Sequence, residues 1–85
     1  MAADRLQSTL ASLERAVARA KEMLAEEYAK ADALFDSPEW TIMTPQECAS
    51  AVREREQAIR HAQKNLAQAE KSQRLIRKRA KEYGR

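Results

Sequence analysis

The sequence predicts an all-α fold: a long antiparallel two-helix hairpin of the coiled-coil type, completing a four-helix bundle by dimerisation. Three observations carry this reading. Two stripes of mainly apolar residues recur at alternating steps of four and three, which is the spacing of a coiled-coil seam. The composition is rich in Ala, Glu, Lys, Arg, Leu and Gln, with one Gly and two Pro, so neither half carries an internal breaker. The connection between the halves is short, which forces the two helices to lie side by side and antiparallel.

The first helix is expected over about residues 4–35. Asp4, followed three residues later by Gln7, reads as a capping box. The stripe then runs through Leu6, Leu10, Leu13, Val17, Ala20, Leu24, Glu27, Ala31 and Leu34. Its span of roughly 32 residues corresponds to about 48 Å. Asp36-Ser37-Pro38 ends it, because the residue before a proline is pushed out of helical geometry.

Residues 36–43 are expected to form a loop, and it is apolar for a turn: Trp40, Ile42 and Met43 follow Phe35. Such side chains either fold back to plug the end of the bundle or anchor a partner, since Trp and Met are favoured at interfaces. The partner-anchor reading assigns Phe35, Trp40, Ile42 and Met43. A tryptophan in the turn of a small helical hairpin resembles the secreted W-x-G hairpin family. Here the tripeptide is Trp40-Thr41-Ile42, without the glycine, and membership is not inferred.

Thr44-Pro45-Gln46-Glu47 is the strongest local signal. Thr44 can cap free backbone N–H groups, Pro45 fits the first helical position, and Glu47 reaches back. Met43 and Cys48 flank this cap as a hydrophobic staple. The second long helix is expected over about residues 45–83, with Gly84 as a stop. Its stripe is Cys48, Val52, Arg55, Ile59, Ala62, Leu66, Ala69, Gln73, Ile76, Ala80 and Tyr83.

Folded as a hairpin, the stripes pair layer by layer. Leu34 faces Cys48, Glu27 faces Arg55, Leu24 faces Ile59, Ala20 faces Ala62, Val17 faces Leu66, Leu10 faces Gln73 and Leu6 faces Ile76. Glu27 and Arg55 therefore meet, and the expected result is a partly buried ion pair that sets the register. Such a pair adds little net stability, but a slipped hairpin would leave each charge alone.

The two flanks of the seam differ. One carries Thr9, Ala16, Met23 and Lys30 beside Ala51, Ala58, Asn65 and Ser72. The other carries Gln7, Glu14, Lys21 and Tyr28 beside Glu56, Gln63, Glu70 and Arg77. The first is small and nearly uncharged, the second ordinary solvated surface. Two helices form only one seam and cannot enclose a core as four do. A dimer or partner interface is therefore expected at Ala16, Met23, Ala51 and Ala58.

Net charge is +3, unevenly spread. Residues 1–59 hold seven Lys/Arg and eleven Asp/Glu, a net of −4, whereas residues 60–85 hold nine Lys/Arg and two Glu, a net of +7. Lys71, Arg74, Arg77, Lys78 and Lys81, with Arg79 and Arg85, form a basic end. Its cations complement the helix dipole, and Arg74, Arg77, Lys78 and Lys81 lie at helical spacing that could contact phosphates or an acidic partner. Small dimeric hairpins can bind RNA this way, an analogy of architecture and not of residues. No aromatic platform accompanies the cations, which disfavours sequence-specific single-strand recognition.

No catalytic, cofactor-binding or metal-ligating residue is expected. His61 stands alone off the seam, and Glu-x-x-His pairs, Cys/His clusters and Gly-rich phosphate loops are absent from the sequence. The single Cys48 cannot form an internal disulfide. With no apolar run of spanning length and no charged-then-apolar leader, the setting expected is cytoplasmic, with no membrane and no small-molecule substrate. The function expected is a non-enzymatic protein–protein interaction module: a small adaptor, chaperone, inhibitor or assembly subunit. It would act as a homodimer or with a helical partner. The alternative is a nucleic-acid-binding hairpin using the basic end.

Overall fold

The computed structural model describes residues 2–83. Among them the chain forms α1 (Ala2–Asp36), α2 (Pro38–Ile42) and α3 (Pro45–Tyr83), with no strand. The Tyr83 side chain, the Gly84 stop and Arg85 lie outside the described residues. The two long helices run antiparallel and pack against each other along a rod of 63 × 16 × 14 Å.

α1 begins two residues ahead of the expected cap, so Asp4 is not an N-cap. Ala2 and Ala3 continue the helix backwards, and Asp4 sits in the first turn, where its negative charge meets the positive end of the helix dipole. At the other end the expected loop 36–43 is corrected: residues 38–42 form a short helix. Ser37 is extended and acts as its N-cap, accepting from the Glu39 N–H at 3.2 Å, with Pro38 at the first position. The Trp40 N–H donates to the Ser37 carbonyl at 3.1 Å, and the Thr41 hydroxyl donates to the Pro38 carbonyl at 2.7 Å. The proline that stops α1 thus also starts α2, because its fixed φ and missing N–H both suit a first helical turn.

α3 is capped by Thr44, whose hydroxyl oxygen accepts from the Glu47 N–H at 3.2 Å while its own hydrogen goes to the Glu47 carboxylate at 3.0 Å. Glu47 therefore reaches the Thr44 hydroxyl. The Cys48 N–H closes the first turn on the Thr44 carbonyl at 2.9 Å.

Every stripe position from Leu6 to Leu34 and from Cys48 to Ala80 is buried or half-buried. Yet among the described residues only Val17, 7% exposed, and Ala62, 6%, are buried outright. Both lie near the middle of the rod, beside the layer in which the register set by Glu27 and Arg55 pairs Ala20 with Ala62. Elsewhere each stripe is covered by one neighbouring helix and open at its flanks.

Candidate functional site

The two interrupting charges of the stripes come together. Glu27 Oε2 lies 3.6 Å from Arg55 Nη1, with the side chains 21% and 33% exposed. That separation is beyond hydrogen-bond reach, and Oε2 is buried without a hydrogen-bond donor; the contact is electrostatic. The other carboxylate oxygen takes Lys30 Nζ from the next turn at 3.4 Å. Glu27 thus sits between two cations, one from each long helix.

Two contacts on the more polar flank fix the same alignment. Gln63 Nε2 donates to the Tyr28 hydroxyl at 2.9 Å, and Arg77 Nη2 lies 3.7 Å from Glu14. Side chains lean toward the N-terminus of their own helix. Tyr28 therefore reaches the level of Leu24, and Gln63 that of Ile59, which are layer partners. Glu14 and Arg77 reach the Leu10–Gln73 layer by the same rule. This flank, read from sequence as plain solvated surface, carries cross-helix bonds. Their sequence signal is the spacing of Tyr28, Gln63, Glu14 and Arg77 on one side of the seam, once side-chain lean is allowed for.

On the small-residue flank, Ala51 and Ala58 are half-buried beneath the edge of α1, whereas Ala16 is exposed and Met23 is 47% exposed. Sequence reasoning passed over Leu75, which is also exposed. Helical spacing puts it on the same side of α3 as Ala51, Ala58 and Ser72. Its signal was the pair Leu75-Ile76, in which only the second residue belongs to the seam.

The apolar turn residues divide. Trp40 and Met43 are half-buried. The Trp40 ring meets Phe35 edge-on, with centroids 5.1 Å apart, and the Cys48 thiol points at the Trp40 carbonyl at 3.8 Å and the Met43 carbonyl at 4.0 Å. These contacts close the turn over the start of α3. Phe35 keeps an exposed face, and Ile42 is 83% exposed. The free part of the proposed anchor is therefore Phe35 and Ile42.

At the opposite end, Arg74, Arg77, Lys78 and Lys81 rim a shallow open groove floored by Leu10 and Ala80. Lys71 is exposed one turn before Leu75. Arg77 is shared with Glu14, so the stripe is partly neutralised across the hairpin. Among the described residues no group of three His, Cys, Asp or Glu side chains could hold a metal ion. No described helix is long and apolar enough to cross a membrane.

The surfaces with the chemistry to bind something are therefore an uncharged flank, an apolar tip bordered by Asp36 and Glu39, and a cationic end. No protein-family model matches the chain, and no curated protein or solved structure matches it significantly.

Proposed function

We propose that this chain is a non-enzymatic interaction module whose hairpin, with coiled-coil-type packing, completes its core against a second helical surface, as a homodimeric four-helix bundle. The observation that carries this reading is the incomplete core. Among the described residues two side chains are buried, and neither is larger than valine. The radius of gyration is 19.0 Å, against about 12 Å for a compact chain of this length. A partner laid on the Ala16/Met23/Ala51/Ala58 flank would turn half-covered layers into enclosed ones. Roles such as adaptor, chaperone, inhibitor or assembly subunit all use a surface of this kind.

The test is native mass by sedimentation equilibrium together with thermal unfolding over a wide range of protein concentration. The reading expects a mass of two chains and a melting temperature that rises with concentration. A chain that stays at 9.7 kDa and melts at one temperature throughout overturns it.

A second reading is favoured by the cationic groove: the end bearing Arg74, Arg77, Lys78 and Lys81 contacts nucleic-acid phosphates. Binding of generic RNA or DNA would then weaken steeply with salt and vanish on charge reversal of Arg74, Arg77 and Lys78. Binding that survives the reversal excludes this assignment.

A further inference from the structure

The hairpin is electrically bipolar about its central alanine layer, Ala20 with Ala62. The half toward the turn, residues 21–61, holds five Lys/Arg and nine Asp/Glu, a net of −4. The described part of the open half, residues 2–20 and 62–83, holds ten Lys/Arg and four Asp/Glu, a net of +6. The small-residue flank crosses both halves. It presents Met23 and Ala58 on the acidic side and Ala16 and Leu75 on the basic side.

We propose that the occupant of this flank is a second copy of the chain laid antiparallel, with the acidic turn half of each hairpin on the basic open half of the other. The inference rests on the homodimer reading and adds its orientation. In the antiparallel arrangement each end brings −4 against +6. In the parallel one, −4 meets −4 and +6 meets +6, which is unfavourable over the whole length of the rod. The area is also sufficient. The chain exposes 7000 Å², roughly 1,900 Å² more than a compact monomer of its mass, whereas a standard interface takes about 800 Å² from each partner. An antiparallel pair related by a two-fold axis through the Ala20–Ala62 level is closed, so it ends at two copies and not in a filament.

The geometry gives a direct measurement. Ala33 is exposed, near the turn and on the flank's side of α1. It lies thirteen residues from Ala20, about 20 Å along the axis. A spin label at Ala33→Cys, in a Cys48→Ser background, would report on its counterpart by pulsed electron–electron resonance. Native mass is measured on the same sample. The antiparallel pair expects the mass of two chains and a label separation of about 40 Å. A dimeric mass with labels within about 20 Å, as for helices side by side, overturns the orientation and leaves the homodimer standing. A single-chain mass overturns the homodimer itself. A second label at Ala16→Cys expects a separation of about 20 Å or less. A dimer in which that distance is longer excludes this flank as the interface.

Discussion

The ion pair at the Glu27–Arg55 layer yields the most discriminating prediction about stability. At 3.6 Å, the gross attraction is about 4–5 kcal/mol at an effective dielectric of 20. Most of it is offset by the partial desolvation of both groups. Exposed pairs are worth about 0.2–1 kcal/mol, while breaking a fully buried one costs about 3–5 kcal/mol. Side chains 21% and 33% exposed fall between these limits, and Lys30 at 3.4 Å keeps partial compensation on the carboxylate. Arg55→Leu should therefore destabilise by about 1–2 kcal/mol, since the Oε2 atom of Glu27 stays buried with no cation beside it.

Glu27→Leu should cost less, because Arg55 can extend its guanidinium into water along the seam edge. The double substitution should come back close to the parent, as two leucines join the apolar layers on either side. The non-additivity expected is about 1–2 kcal/mol, equivalent to about 4–8 °C per kcal/mol for a chain of this size. Urea titrations followed by circular dichroism, all at one protein concentration, measure the cycle. Single costs that simply add in the double variant would refute the claim that the two charges sense each other.

Three further outcomes follow from local geometry. Thr44→Ala removes the hydroxyl that serves both the Glu47 N–H and its carboxylate, and should lower stability by about 1 kcal/mol in urea unfolding. Ala62→Leu forces a large side chain into a site only 6% exposed and should cost about 1–3 kcal/mol, visible as a lower melting temperature; an unchanged value would mean the helices are not in close approach there. Ile42→Ser should leave stability within about 0.5 kcal/mol because the residue is 83% exposed, whereas Trp40→Ala should lower it measurably by removing the contact with Phe35.

The parts of the fold legible in the sequence are those set by periodicity. Heptad spacing states which residues share a face, and the half-buried positions from Leu6 to Leu34 and from Cys48 to Ala80 are those residues. Register was legible because one acid and one cation, Glu27 and Arg55, interrupt stripes that are mainly apolar. The turn was less so. Ser37-Pro38 is both a stop and a start, and a five-residue helix is too short to show a period of its own. The division of the turn side chains, with Trp40 folded back and Ile42 out, depends on where α1 ends and α3 begins relative to each other. Leu75 was missed for a related reason: a residue one step off the seam matters only if a second surface exists. The cross-helix hydrogen bond of Tyr28 and ion pair of Glu14 depend on side-chain lean, which shifts partners by about one helical turn from the layer rule.

The same undersized core links stability to assembly. The seam stacks its layers in a single file, and the layer of Ala20 and Ala62 holds its smallest side chains. Two alanines bury less apolar surface than a layer of larger side chains and contribute correspondingly less to the isolated hairpin. The charge imbalance reverses at that same layer, so a partner centred there meets opposite charge on both sides. Under the antiparallel-dimer proposal, one alanine layer is both the least stabilising layer of the hairpin and the centre of its pairing. Substitutions that enlarge it should consequently change oligomeric mass and folding stability together, and a variant that separated the two would show that the hairpin holds its structure without a partner.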